Sequence, residues 1–384
     1  MTLASLVIYL VTCVCNLTAL AVLTVSSASF AQSTVTLYGN VDVAYGAHKT
    51  QSRDGTAFTK SSGVMDGSWA GSRLGFRGTE DLGGGLKASF TLEQGINPTG
   101  ANGFNQRVGS GAHQFADATG TAYTANNNRQ SFLGLAGGFG EVRVGFQYTN
   151  SYDLAAFQGF SLSEFQGGNY QNATHANGTR ANAITYIAPK MGAVTVKAQF
   201  GQGSGRATAE SDAIANIGAS TGTLTKNNNQ YTSLMAVYAA GPLIVAGNYA
   251  KADLTTSAAA TAQTAPTSLD FGASYNLGFA TVSATMGTHE DNKVSGSTET
   301  KAQQFSVKVP FGATDFLLST GSAKKTLAGA TTSDAKGTMV GVSHALSKRT
   351  NIYALTGTDK NSALTGATAG YKDSKTAVGI RHQF

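Results

Sequence analysis

A two-residue alternation of apolar and polar side chains recurs along almost the whole chain and constrains its fold more than any other feature. In "STVTLYGNVDVAY", Val35, Leu37 and Val43 fall on one face of an extended strand. Thr36 and Asp42 fall on the other face. The segments "EVRVGFQYT", "VTVKAQF" and "SLDFGASY" alternate in the same way. The pattern predicts an all-β chain whose strands each have one apolar and one wet face, as they also do in a soluble antiparallel sheet.

The spacing of short turns favours one of these architectures. Seven short junctions that carry Gly, Pro or Asn separate alternating runs, at 81–85, 136–140, 188–192, 239–242, 276–279, 309–314 and 345–350. They join fourteen strands, and a first strand near 33–46 and a last near 376–384 complete sixteen. About 35 to 55 residues separate successive turns, enough for two strands of about 10 residues and one long polar loop. Short turns at one end and long loops at the other predict a sixteen-stranded antiparallel transmembrane β-barrel, with short periplasmic turns and long extracellular loops.

The C-terminus agrees with a closed barrel. In "AVGIRHQF" the side chains of Val378, Ile380, His382 and Phe384 share one face of a strand that alternates up to its final residue. A barrel satisfies all of its backbone hydrogen-bonding groups only if its last strand pairs with its first. We therefore expect Phe384 to face lipid at the short-turn end of the barrel.

Composition separates the first 31 residues from the rest. Residues 1–31 carry no charge, contain both cysteines, Cys13 and Cys15, and end in the small-residue pattern Ser29-Phe30-Ala31. We predict a signal peptide at 1–31 and a barrel domain at 32–384, with an uncleaved N-terminal anchor as the alternative because a basic start is missing. The charged fraction of 12% is about half the usual value of roughly 25%, which is atypical of a soluble protein.

Motifs for catalysis, metals or cofactors are weak in this sequence. The six histidines are far apart and lack an HxxxH or cysteine partner, and no P-loop Lys-Ser/Thr follows the glycine-rich "GQGSG". Ser343 and His344 are adjacent, so in a strand they would point to opposite faces. Basic residues are scattered singly rather than in blocks with aromatics. We expect no enzyme, no cofactor, no metal and no nucleic-acid partner.

Several segments resemble one known family. They are "VTLYGNVDVAY", "GSRLGFRGTEDLGGGLKASFTLEQGI", "NRQSFLGLAGGFGEVRVG", "LSKRTNIYAL" and "VGIRHQF". These segments resemble the general diffusion porins of Gram-negative outer membranes, in the β-proteobacterial branch. The resemblance implies a homotrimer of sixteen-stranded barrels in the outer membrane, each an aqueous channel narrowed by a third long loop that folds inward. It also implies that Phe384 serves as the signal read by the outer-membrane barrel assembly machinery.

The same resemblance suggests the residues of a pore constriction. Arg73, Arg129 and Arg180 match the arginines of the family's barrel wall, and Asp153 and Glu164 are the acids of the segment that matches the inward loop. Alternation independently turns further basic residues toward the lumen, because a lipid-facing Arg or Lys at the bilayer midplane costs about 2–4 kcal/mol. These possible lumen-lining residues are Arg77, Lys87, Arg143 and Lys197. We expect the basic wall and the acidic loop to face each other across a narrow gap.

Passive diffusion of small hydrophilic solutes and ions, weakly anion-preferring, is the predicted function. Two alternatives stay open: a substrate-specific porin, and a surface-binding barrel such as an adhesin or phage receptor that uses loops near 47–70, 97–128 and 201–229. Sixteen strands enclose an open lumen, whereas eight to twelve leave little or none. Outer-membrane lipid and lipopolysaccharide are the expected surroundings.

Overall fold

The computed structural model describes residues 34–52, 58–99, 128–158, 180–202, 230–253, 266–293, 296–361 and 371–384. One antiparallel sheet contains all of the strands in these ranges. The strands are β1 (Thr34–Ser52), β2 (Phe58–Asp66), β3 (Arg73–Gly83), β4 (Leu86–Gly95), β5 (Asn128–Gly137), β6 (Gly140–Tyr148), β7 (Arg180–Ile187), β8 (Val194–Gln202), β9 (Gln230–Ala240), β10 (Leu243–Asp253), β11 (Thr267–Asn276), β12 (Thr281–Lys293), β13 (Gly296–Phe311), β14 (Thr314–Leu327), β15 (Ala330–Ala345), β16 (Thr350–Asn361) and β17 (Tyr371–Gln383). No helix in the described ranges is long and apolar enough to cross a bilayer.

These seventeen segments form the sixteen strands of a barrel, because β2 and β3 lie end to end along β1 and together make one barrel strand. β1 pairs with β3 from Thr34 to Asn40 and with β2 from Val43 to Gln51. Residues 67–72 interrupt this second barrel strand, between β2 and β3. Each of the other strands pairs with its sequence neighbour, and all seven predicted turns lie between paired strands. The predicted sixteen-stranded barrel is confirmed.

The barrel closes between its first and last strands. β17 pairs with β1 over thirteen residue pairs, from Asn40↔Gln383 to Ser52↔Tyr371. The pairing continues into the last residue, since the Gly39 N–H donates to the Phe384 carbonyl over 3.0 Å. The Phe384 ring lies directly over Gly39, where a built Cβ would come within 2.3 Å of it. The expected position of Phe384, on the outer face near the short turns, agrees with this geometry.

Side-chain burial is reversed relative to a soluble protein. Large apolar side chains such as Val35 (66% exposed) and Leu133 (69%) lie on the outer face. Polar side chains such as Asp42, Thr185 and Asp270 face inward and are fully buried. An apolar exterior around a polar interior is the arrangement of a transmembrane barrel.

The strands are longer than predicted in one part of the barrel. β12 and β13 pair as far as Lys293↔Gly296, β14 and β15 pair as far as Leu327↔Ala330, and β13 and β15 each contain 16 residues. Ala328 and Gly329 have positive φ values of 48° and 81°, as a tight turn requires. The prediction of a surface loop at 47–70 is wrong for most of that range, which belongs to β1 and β2. At 16 residues, β13 and β15 exceed the length of about 9–11 residues needed to span a bilayer.

Candidate pore constriction

The start of the third long connection runs along the inside of the barrel. After β6, the short helix α1 (Asn150–Asp153) and a 3₁₀ turn (Leu154–Gln158) follow Thr149, whose hydroxyl accepts from the Tyr152 N–H and caps the helix. Asn150 Nδ2 donates to Ser233 Oγ on β9 over 2.7 Å. Asn248 Nδ2 on β10 donates to Ser151 Oγ over 2.9 Å. Because Ser233 and Asn248 face the lumen, residues 149–158 lie against the inner side of the barrel wall.

Apolar packing holds the same segment against the wall. Leu154 is fully buried and Phe157 nearly so, and both pack against Met235 and Ala246. A Cβ built on Gly272 of β11 would lie 2.8 Å from the Phe157 ring, so the close approach depends on a glycine at that position. Residues 159–179, including the predicted acid Glu164, lie outside the described residues.

Asp153 does not face the basic wall across an open gap. Its carboxylate forms an ion pair with Lys197 Nζ on β8, and the side chains are 34% and 18% exposed. Lys197 therefore faces the lumen as expected, but the two charges bind each other directly. The predicted opposition across water is wrong for Asp153, because the inward segment lies against β8 and β9.

A cluster around Glu93 joins one of the predicted arginines to the wall. Arg129 Nε donates to Glu93 Oε1 over 2.6 Å, and another Arg129 nitrogen donates to Tyr148 Oη over 2.6 Å. Tyr148 Oη donates to Glu93 Oε1 over 3.1 Å, and Tyr38 Oη donates to Glu93 Oε2 over 3.0 Å. Both Arg129 and Glu93 are at most 10% exposed. The Arg129 charge is thus paired with Glu93, and its guanidinium is held in place by hydrogen bonds to Glu93 and Tyr148.

Arg180 and Arg73 lie beside this cluster without a salt bridge to an acid in the described ranges. The Arg180 guanidinium lies over the Tyr148 ring, 5.3 Å from its centroid, and Tyr152 of α1 stacks on that ring at 4.4 Å. Arg73 interacts electrostatically with Glu93 on one side and with Arg381 on the other. The structure therefore brings the three predicted arginines together around Glu93 and Tyr148.

The remaining predicted basic residues lie nearer the short turns. Arg77 lies over the Tyr38 ring at 5.1 Å, and Lys87 is exposed next to the turn after β3. Arg143 donates two hydrogen bonds to Glu141, over 2.7 and 2.9 Å. These residues face the lumen; Arg77 adjoins the cluster around Glu93 through Tyr38, whereas Lys87 and Arg143 lie farther toward the turn end.

Sequence reasoning missed a second inward element, formed by residues 67–72. The backbone N–H groups of Trp69 and Ala70 donate to Asp42 Oδ2 over 3.0 and 2.7 Å. Tyr353 Oη donates to the other oxygen of this buried carboxylate. The Arg381 guanidinium lies 4.7 Å from the Trp69 ring centroid, and Tyr353 packs edge-on against that ring at 5.4 Å. The sequence signal was the lone tryptophan, flanked by small residues in "GSWAGS".

Charges of both signs lie near the inward elements. In the described ranges, the basic residues there are Arg73, Arg129, Arg180, Lys197 and Arg381, and the acids are Asp42, Asp66, Glu93, Asp153 and Asp270. In the described part of the chain, no three His, Cys, Asp or Glu side chains gather to hold a metal ion.

Comparisons with known sequences point to one family. The profile described as Gram-negative porin matches residues 17–364 of the chain. Outer membrane porin protein 32 of Delftia acidovorans is 33% identical over 400 residues, which cover 96% of this chain and 99% of that protein. Major outer membrane protein P.IB of Neisseria meningitidis serogroup B is 35% identical over 118 residues, 30% of this chain and 28% of that protein.

Solved structures agree with this family. The anion-selective porin from Comamonas acidovorans is 25% identical, with a TM-score of 0.66, and the match covers 92% of this chain and all of that one. OmpF of Salmonella typhi is 18% identical, with a TM-score of 0.60, over 91% of this chain and 97% of that one, a likeness of fold alone.

Proposed function

Because the chain belongs to the family of Gram-negative porins, we propose that its lumen passes small hydrophilic solutes by passive diffusion, with a modest preference for anions. The protein is a multi-pass β-barrel of the outer membrane. The observation that carries the anion preference is that Arg73 and Arg180, beside the inward elements, have no salt bridge to an acid in the described ranges. Charges that line a narrow pore act on permeating ions at short range, where salt screens them least. The structural relative from Comamonas acidovorans bears the description anion-selective.

The reversal potential across a KCl gradient tests this proposal. Purified protein in planar bilayers should give a reversal potential of the sign expected for chloride preference, larger in dilute salt. Arg180→Ala should shift it toward cations. Cation preference of the wild type, or an unchanged reversal potential in the variant, would contradict the charge assignment. Conductance that saturates with one solute class would instead favour a substrate-specific porin.

The assembled state is a further part of the proposal. A homotrimer is supported by the family, and its expected signature is an oligomer that resists SDS until it is heated. A monomer in every detergent tested would contradict the trimer. The mature protein should begin at Gln32, which N-terminal sequencing of outer-membrane material would check.

A further inference from the structure

The second inward element holds a tryptophan in a fixed position inside the barrel. Trp69 is the only tryptophan of the chain. The backbone on both sides of it is hydrogen-bonded to β1: the Gly67 N–H donates to the Asp42 carbonyl over 2.9 Å, and Asn40 Nδ2 donates to the Ala70 carbonyl over 3.1 Å. Gly67 has a φ of 69°, a left-handed conformation that favours glycine. The indole ring is therefore in place before any solute arrives.

The ring lies on an apolar patch of the inner wall. Trp69 packs against a cluster of buried side chains that includes Met65, Met339, Tyr353 and Leu355. Trp69 itself is only half-buried, so part of its ring surface stays accessible. Small inorganic ions gain nothing from an apolar surface, whereas the apolar part of an organic solute loses contact with water there. The patch therefore distinguishes solutes by their organic part.

Two guanidinium groups adjoin this ring. The Arg381 guanidinium lies 4.7 Å from the ring centroid, and its Nε donates to Asn351 Oδ1 over 3.1 Å. Arg73 follows Trp69 by four residues and interacts electrostatically with Arg381. Neither arginine forms a salt bridge with an acid in the described ranges. Because like charges repel each other, an anion between the two guanidinium groups would stabilise both.

The acids of this region are already engaged by other donors. Asp42, which interacts electrostatically with Arg381, accepts hydrogen bonds at both oxygens from the element and from Tyr353. Asp66 accepts from the Ser72 hydroxyl. A guanidinium carries five N–H donors in a planar fork that matches a carboxylate. Arg381 uses its Nε for the protein within the described residues, so donors remain for a carboxylate that a solute supplies.

We propose that Trp69, Arg381 and Arg73 form a binding site for aromatic carboxylates on the inner wall of the barrel. The flat ring of such an anion stacks on the accessible part of the indole, and its carboxylate accepts hydrogen bonds from the guanidinium groups. Aliphatic carboxylates lack the ring contact, and neutral aromatic solutes lack the charge contact. The proposal rests on the proposed channel, because a solute reaches this wall through an open lumen.

Fluorescence of the lone tryptophan tests the site in purified full-length protein, without any conductance measurement. The probe is 4-nitrobenzoate, whose nitroaromatic ring quenches indole fluorescence on contact, and 4-nitrobenzyl alcohol is its uncharged counterpart. Quenching by 4-nitrobenzoate should saturate in the millimolar range and leave the fluorescence lifetime unchanged, as a bound complex requires. Benzoate should displace the probe at about fivefold lower concentration than cyclohexanecarboxylate, because only benzoate offers an aromatic ring.

Two double variants separate the charge contact from a general effect of charge. Arg73→Gln with Arg381→Gln should weaken binding of 4-nitrobenzoate about tenfold, since hydrogen bonds to a charged group are lost. Lys190→Gln with Lys348→Gln removes the same number of charges from exposed turns and should leave the quenching unchanged. Heat-modified migration on SDS gels should be the same in both, which shows that the barrel is intact.

Conductance of planar bilayers tests the ring contact. Benzoate should reduce the KCl current of the wild type and of Trp69→Phe, each relative to its own current without benzoate. Trp69→Leu keeps an apolar side chain but no ring and should lose this reduction. Phe139→Ala, which removes an exposed ring from the turn 136–140, should keep it.

Several results would overturn the site. They are equal quenching by 4-nitrobenzyl alcohol, equal displacement by cyclohexanecarboxylate, the same loss in the turn variant, and a benzoate effect that persists in Trp69→Leu. KCl conductance without saturable quenching would refute the site and leave the channel standing. Saturable quenching in a protein that does not conduct would support the site and refute the channel.

Discussion

Replacing Glu93 by glutamine should make the pore more anion-selective. Glu93 is the acid that balances Arg129, with 2.6 Å between the paired atoms and both side chains at most 10% exposed. A glutamine amide at this position would keep a similar shape but would leave the Arg129 charge without its counter-charge. The net charge beside the inward elements would therefore increase by one unit.

The size of the effect follows from the distance between this charge and a permeating ion. A unit charge about 6 Å from an ion in water changes its energy by about 0.7 kcal/mol, and screening at about 0.1 M salt reduces this to about 0.4 kcal/mol. Chloride would then be favoured and potassium disfavoured by about twofold each. We expect the permeability ratio of chloride to potassium to increase about fourfold, measured as the reversal potential in a KCl gradient.

The double variant Glu93→Gln, Arg129→Gln is the matched control. It removes one charge of each sign, so its permeability ratio should return to the wild-type value. It should also unfold at a higher temperature than Glu93→Gln alone, since leaving one partner of a buried pair uncompensated costs about 3–5 kcal/mol. An unchanged ratio in Glu93→Gln, or the same elevated ratio in the double variant, would show that the Arg129–Glu93 pair does not act on permeating ions.

Three other substitutions probe the elements that shape and close the barrel. Trp69→Ala should increase single-channel conductance, because the ring that packs on Arg381 projects into the lumen; equal conductance would place this element outside the limiting section. Gly272→Leu should displace the inward segment at Phe157 and increase current noise. Current traces of the variant that are as quiet as those of the wild type would count against that contact. Phe384→Ala should lower the amount of protein in the outer membrane, measured by fractionation, because the last residue pairs with the first strand; undiminished amounts would refute a role in assembly.

The strands and turns could be predicted because their signals are local. Alternation with a period of two identifies a strand with two different faces, and glycines such as Gly83 and Gly85, with φ of 83° and 81°, mark a tight turn. The range 47–70 lacks the alternation of a strand for a physical reason. Beyond the bilayer, outward residues such as Lys49 and Lys60 need not be apolar, so the alternation disappears although the strands continue.

The arginines of the candidate constriction could not be placed by alternation alone. Arg180 shares its side of β7 with Ile184, which is 52% exposed on the outer face, yet its guanidinium lies over the Tyr148 ring. Arg129 lies where the pairing of β4 and β5 shifts between Glu93 and Gln94. A bulge and a strand end both release a side chain from the strict inside-outside rule. The family resemblance identified these two residues because it compares positions rather than faces.

The inward element at 67–72 shows what kind of information the sequence lacks. Its anchor, Asp42, belongs to a strand whose alternation correctly predicts that the carboxylate faces inward. The groups that satisfy this carboxylate are backbone N–H groups 27 and 28 residues away and a hydroxyl 311 residues away. No local pattern encodes such partners, since only the closure of β17 on β1 brings Tyr353 near Asp42. The Trp69 and Ala70 N–H groups bind this carboxylate without closure, and closure adds the Tyr353 hydroxyl as a third donor, which further stabilises the buried charge. Barrel closure and the shape of the lumen are therefore coupled through Asp42.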